Sequence, residues 1–248
     1  MTHSLLIAGK KIDIFARENA PLVILNTYGG EGEAVWQECA EAHCPPFSLA
    51  AISRLDWEKD MSPWENPPLS KSDAPFSGGA DAYLCELTQK IVPAVCDVLN
   101  AKPRTIALAG YSLAGLFSLY AAHKTPLFCR IASVSPSLWF PDFVSFAKNT
   151  PFVKNPDCIY LSLGDKEAKT RNPLLQSVQK NTEEVCAWYT AQKIPATFEL
   201  KSGAFDVLAE SFVSDDINVL LMNGKFVVNL NNNPQASITL SDGDKWTD

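Results

Sequence analysis

One serine stands where the residue types and their spacing could carry out covalent chemistry. Thr105-Ile106-Ala107-Leu108-Ala109 reads as a short buried strand, and Leu113 to His123 reads as a helix rich in Ala and Leu. Between them lie Gly110, Tyr111 and Ser112, with Ala114 and Gly115 just beyond. A strand that runs straight into a helix through small residues forces the residue at the turn into a strained backbone conformation. That strain is tolerable only if the neighbours two residues away are tiny, a demand that Gly110 and Ala114 meet. The turn would present the Ser112 hydroxyl at a helix N-terminus, where backbone N–H groups and the helix dipole favour developing negative charge. Acyl transfer is the chemistry such a serine could do, with the Leu113 N–H as one donor to the oxyanion.

A second donor should come from a loop after an earlier strand. Pro21 to Asn26 is a continuous apolar run and reads as a buried strand. It leads into Thr27-Tyr28-Gly29-Gly30, where the glycines let backbone approach a substrate oxygen, so Tyr28 or Gly29 is the candidate. A carboxylate is also needed, and Tyr160-Leu161-Ser162-Leu163-Gly164-Asp165-Lys166-Glu167 supplies two just past a late strand. Asp165 and Glu167 are both candidates, and both follow the serine in the chain order Ser, acid, His.

These segments resemble a known family. The elbow Ala109-Gly110-Tyr111-Ser112-Leu113-Ala114-Gly115-Leu116-Phe117, the acid segment Leu163 to Glu167 with Asn172-Pro173 after it, and Ser135-Pro136-Ser137-Leu138-Trp139-Phe140 are similar to esterase D-like α/β-hydrolases. That branch includes enterochelin-type esterases and S-formylglutathione hydrolases. The resemblance covers roughly Pro21 to Leu200. It implies a serine hydrolase acting on small-molecule carboxylic esters through an acyl-enzyme, without a cofactor.

The resemblance also exposes a gap. A serine hydrolase uses a base, almost always a His, to take the serine proton. In the family the loop after the last strand reads Gly-x-His; here Gly203-Ala204-Phe205-Asp206 arrives at that place and Phe205 stands where the base is expected. The chain holds three His, at 3, 43 and 123. His123 lies eleven residues along the helix from Ser112, about 16 Å at 1.5 Å per residue, too far to act. His43 precedes the serine and His3 stands near the N-terminus. Two readings therefore stay open: an esterase impaired by a missing base, or a non-catalytic binding protein on a hydrolase scaffold.

The elements around these residues alternate between strand and helix. An opening hairpin is expected from Ser4–Ala8 and Lys11–Ala16, a helix over 31–44, a strand from Phe47 to Ile52, and a helix from Asp81 to Leu99 that Pro93 kinks or splits. Strands are expected at Arg130 to Ser135, Cys158 to Leu163 and Ala196 to Leu200, with a helix over 173–192. The pattern implies a mostly parallel sheet with helices on both faces. Asp56 to Gly79, rich in Pro and carrying Trp57 and Trp64, reads as a long irregular loop that either walls the pocket or packs over the sheet edge. Residues 1–248 are expected to form one domain. From Asn223 a divergent tail replaces the closing helix of the family, reading as two short strands, Lys225–Leu230 and Ser237–Leu240, or as unstructured chain.

Composition bounds the remaining classes. With 248 residues, 46% apolar, the chain can bury a sizeable core. Its net charge of −7 comes without a cluster of Lys or Arg, which argues against nucleic-acid binding. No apolar run reaches the roughly 20 residues of a membrane helix, and the N-terminus lacks the pattern of a secretory signal, so a cytoplasmic location is expected. The seven cysteines show no CxxC pair and suggest neither a disulfide framework nor a zinc site. Cys39 and Cys44, five apart near a helix end, are expected on different faces. Oligomeric state has no sequence signal.

Overall fold

Strand β3, Leu22–Asn26, is buried along its whole length, and its alternate residues serve two separate apolar clusters. Leu22 and Ile24 join one, Val23 and Leu25 the other. A strand buried on both faces needs helices on both, and that requirement shapes the molecule. The computed structural model describes residues 2–201. In it an opening hairpin, β1 (Thr2–Ile7) and β2 (Lys10–Phe15), precedes β3. Helix α1 (Gly32–Glu41) leads to β4 (Ser48–Ser53), and a segment with α2 (Trp57–Asp60), β5 (Glu65–Asn66) and β6 (Phe76–Ser77) comes after it. Helices α3 (Ala80–Glu86) and α4 (Val92–Leu99) lead to β7 (Ile106–Tyr111), α5 (Leu113–Lys124) and β8 (Arg130–Val134). Next come α6 (Phe143–Asn149), β9 (Cys158–Gly164), α7 (Pro173–Gln176), α8 (Val178–Ala191) and β10 (Ala196–Lys201).

Eight of these strands form one sheet in the order β1-β2-β4-β3-β7-β8-β9-β10. The hairpin pairs and β2–β4 are antiparallel, while every pair from β4 to β10 is parallel. This is the mostly parallel sheet flanked by helices that the alternating pattern predicts. The register aligns the carboxyl ends of neighbouring strands: Asn26 opposite Gly110, Tyr111 opposite Val134, Val134 opposite Ser162, and Gly164 opposite Lys201. Open α/β sheets bind ligands at that edge. Helix α5 packs so deeply that every residue from Leu113 to His123 is buried.

Pro93 splits the helix over 80–99 as expected. The carbonyl of Gln89 has no α-helical donor, because Pro93 lacks an N–H. The chain widens into one π turn, Leu87–Ile91, before resuming as α4 with Pro93 in its first turn. Two expectations need correction. The stretch over 173–192 is two helices: the Asn172 side chain caps α7 by accepting the Leu174 N–H at 2.9 Å, and the α-helical pattern is interrupted at Ser177. The segment Asp56 to Gly79 is not structureless. Ser62 Oγ donates to the Glu58 carbonyl at 2.6 Å and accepts the Gly78 N–H at 2.9 Å, which closes α2 against the β5–β6 ladder. Trp64 packs among Phe140, Phe143 and Phe146, and its indole N–H donates to the Pro141 carbonyl at 3.1 Å. Helix α6 has no counterpart among the sequence expectations, because its seven residues carry too short a pattern to separate from loop.

Gly32, the first residue of α1, lies close against the sheet. A Cβ there would lie 2.3 Å from the Ala51 Cβ on β4. Gly32→Ala should therefore destabilise the fold by about 1–3 kcal/mol, as overpacked sites do. Urea unfolding of the two proteins measures it; an unchanged midpoint would show that α1 slides without cost.

Candidate active site

At the end of β7 the chain turns sharply, and Ser112 takes φ 56° and ψ −123° before α5 begins at Leu113. Non-glycine residues rarely adopt positive φ, and such strain persists only where the surroundings hold it. Three backbone hydrogen bonds do so. The Ser112 N–H donates to the Val134 carbonyl at 3.0 Å, and the Ser112 carbonyl accepts from the N–H groups of Leu116 at 3.1 Å and Ser137 at 3.0 Å. Gly110 is required by close approach, since a Cβ there would come 2.6 Å from the Ala114 backbone. The methyl of Ala114 fits because its neighbour across the turn has none.

The Ser112 hydroxyl lies 3.3 Å from the Ser137 hydroxyl and opens on a cavity of about 330 Å³. Its lining includes Ser135, Ser137, Trp139, Lys166, Glu167 and Leu175. No residue of the 56–79 segment is among the described residues that line it; Trp57 instead packs on Tyr28 and Tyr111. Ser135 carries a second positive φ, 41°, at the end of β8. Its hydroxyl donates to Glu167 Oε1 at 2.6 Å, and the Gly164 N–H donates to the same oxygen at 2.7 Å. Glu167 is thus brought into the cavity of Ser112. Asp165 stands at the mouth between β9 and β10, its N–H donating to the Lys201 carbonyl at 2.8 Å. The Ser135–Glu167 contact is one that sequence reasoning misses, although the Ser135-Pro136-Ser137 motif is its only available signal.

The oxyanion candidates are arranged less simply. Leu113 opens α5 beside Ser112. The Gly29 and Gly30 N–H groups donate to the carboxylate oxygens of Glu31, at 2.8 and 3.1 Å. The Tyr111 hydroxyl donates to Glu31 Oε1 at 3.2 Å, and burial, with Glu31 beside it, pushes that phenol well above its ordinary range. Tyr28 exposes most of its side chain and meets Trp57 edge-on. The Gly29 donor is therefore engaged by the chain's own carboxylate.

No imidazole meets Ser112 among the described residues. His123 is buried on α5, stacked on Phe152 with ring centroids 3.9 Å apart and with Nε2 2.9 Å from the Tyr189 hydroxyl. His43 is exposed just past α1, its Nδ1 2.7 Å from the Glu41 carbonyl, and His3 is exposed on β1. The loop Gly203–Asp206, with Ala204 and Phe205, lies outside the described residues, as does the tail from Asn223. Among the described residues, no three His, Cys, Asp or Glu side chains converge to hold a metal, and no helix is long and apolar enough to cross a membrane.

Residues 26–196 match the model of the Esterase family. A curated relative, the uncharacterized protein YbbA of Bacillus subtilis strain 168, is 26% identical over 144 residues. That match covers 57% of this chain and 58% of the relative, so the chain spans less than two thirds of that relative's length. Among solved structures, the siderophore hydrolase EstB of Aspergillus nidulans superposes with a TM-score of 0.70 at 18% identity, over 89% of this chain and 94% of that one. An IroE-like serine hydrolase of Shewanella oneidensis gives 0.70 at 14% identity, over 93% and 82%. The enterobactin esterase FES of Shigella flexneri gives 0.65 at 19% identity, over 90% and 59%. These structural likenesses carry the fold.

The surroundings of His123 make a thermodynamic prediction. Burial lowers its pKa from 6.5 to about 4, so the folded state keeps it neutral where the unfolded chain binds a proton. The stabilisation is full above pH 6.5 and is lost as pH falls from 6.5 towards 4, on the order of 3 kcal/mol in all. His123→Phe should lose that share of the pH dependence. Urea-unfolding free energies measured from pH 7 to 4 test it; parallel curves for both proteins would contradict it.

Proposed function

Since the chain belongs to the Esterase family, we propose that it is a serine esterase scaffold acting on small-molecule carboxylic esters, with Ser112 as the acyl-accepting nucleophile. The observation that carries this is the strained strand-to-helix turn at Ser112, which opens on a cavity shared with Glu167. A hydroxyl held at φ 56° cannot relax into the helix and stays aimed at the cavity. The Leu113 N–H and the helix dipole of α5 favour the negative charge of a tetrahedral intermediate. The loop at Tyr28–Gly29 completes the oxyanion site once Glu31 releases the Gly29 N–H. Glu167 is the favoured acid, because its carboxylate is fixed by Ser135 and Gly164 inside the same cavity; Asp165 is the second candidate. Proteins of the same fold carry the names siderophore hydrolase and enterobactin esterase, which supports an ester as the bond to be cut.

On this reading the chemistry is impaired, because no imidazole meets Ser112 among the described residues. Among the described residues, the Ser112 hydroxyl meets another hydroxyl, that of Ser137, and a neutral serine is a poor nucleophile. Position 205, where the family places the base, is Phe. That residue favours a second reading, a binding protein on a hydrolase scaffold, and one experiment separates the two.

A triad stripped of its base keeps only oxyanion and binding effects, about 10³–10⁴-fold over water. The full chain should hydrolyse a short-chain aryl ester feebly, with little further loss in Ser112→Ala. Phe205→His should raise the rate, with Ala204→His the second choice. Steady-state hydrolysis of the four proteins decides. Brisk turnover by the unmodified chain, abolished in Ser112→Ala, would show that another group serves as base; no turnover by any of them supports the binding protein.

A further inference from the structure

On a continuous helix, residues five apart point to different faces, but α1 ends at Glu41, between Cys39 and Cys44. A Schellman turn closes the helix there. His43 adopts φ 55° and its N–H donates to the Ala40 carbonyl at 3.2 Å. The Cys44 N–H donates back to the Cys39 carbonyl at 3.0 Å. This motif folds the chain over the helix end, and a side-chain contact between its first and last residues frequently accompanies it. Those residues are Cys39 and Cys44.

Three observations favour bond formation between them. With 3.0 Å between the Cys39 oxygen and the Cys44 nitrogen, the two Cα atoms lie within about 7.2 Å even with every bond in line, and the bends at the carbonyl carbon and the nitrogen bring them closer. Disulfides span Cα separations of about 4.4–6.8 Å. Both side chains also line one cavity of about 330 Å³, together with Trp36, Phe47 and Arg17, whose guanidinium lies 5.4 Å from the Trp36 ring centre. Finally, the two thiols differ in access: Cys39 is 1% exposed, while Cys44 is only partly buried.

We propose that Cys39 and Cys44 are a redox-active thiol pair that closes to a disulfide by exchange with a small-molecule disulfide entering this cavity. The Cys44 thiolate attacks one sulfur of the reagent, forming a mixed disulfide and releasing one thiolate. Cys39 then gives up its proton and attacks the Cys44 sulfur, releasing the second thiolate. The protein loses two hydrogens and the reagent is reduced to two thiols. Arg17 at the cavity wall suits a reagent that carries carboxylates. The product staples the C-terminal turn of α1 to the segment leading into β4.

The sequence makes the test clean. No Lys or Arg lies between Arg17 and Arg54, so trypsin releases Glu18–Arg54 as one peptide whose only cysteines are these two. The native full chain is incubated with glutathione disulfide, alkylated with iodoacetamide and digested. The expected peptide lacks two hydrogens and carries no alkyl group, and prior reduction restores two alkylation sites. In Cys39→Ser the same peptide should trap one glutathione on Cys44; in Cys44→Ser the buried Cys39 should stay a thiol. A wild-type peptide that is alkylated twice, keeps a glutathione adduct, or is linked to another peptide overturns the proposal. That mass alone decides even if a variant fails to fold.

Discussion

The site depends on a backbone conformation that Ser112 would not adopt on its own. Holding a non-glycine residue at φ 56° costs on the order of 1–3 kcal/mol, and the fold supplies that from both sides of the turn. Val134 on the neighbouring strand accepts the Ser112 N–H, so β8 must already lie beside β7. Leu116 and Ser137 share the Ser112 carbonyl, which ties the turn both to its own helix and to the Ser135-Pro136-Ser137 segment. Burial of α5 from Leu113 to His123 then fixes the direction in which the helix leaves. The hydroxyl's position follows first from sheet order and helix burial, with the Ser137 hydroxyl 3.3 Å away.

The same edge of the sheet explains why chemistry-bearing residues far apart in sequence meet. Parallel pairing from β4 to β10 puts every strand's carboxyl end on one side, so the segments after β7, β8 and β9 converge. Ser135 is the joint between them. Its backbone N–H donates to Ser162 on β9, and its hydroxyl holds the Glu167 carboxylate that lies just past that strand. The β3 side is organised differently, because the Glu31 carboxylate draws in the Gly29 and Gly30 amides and the Tyr111 hydroxyl.

Much of this is legible in the sequence. Runs such as residues 22–25 and 158–161 are apolar at consecutive positions, a pattern that short buried strands show, and the small residues around Ser112 announce the turn. What escapes is set by long-range contacts or by where a helix stops. The 56–79 segment is ordered by Trp64 and Phe76 packing on Phe140, 64 residues or more away in the chain. The spacing rule sets Cys39 and Cys44 on different faces because it assumes a helix that continues, and here a left-handed His43 ends it. That Ser135 reaches the Glu167 carboxylate is something no local pattern reveals. Phe205, where the missing base is expected, lies outside the described residues.

Covalent capture tests the central proposal, that the fold aims Ser112 at the cavity and that no base activates it. The full chain is treated with a fluorophosphonate at neutral pH, and the modified residue and its rate are read by peptide mass spectrometry. The account predicts slow modification confined to Ser112 and absent in Ser112→Ala, because geometry selects the residue while a neutral hydroxyl limits the rate. Rapid, complete labelling of Ser112 would contradict it by revealing an activating base, and labelling at Ser135 or Ser137 instead would show that the nucleophile lies elsewhere.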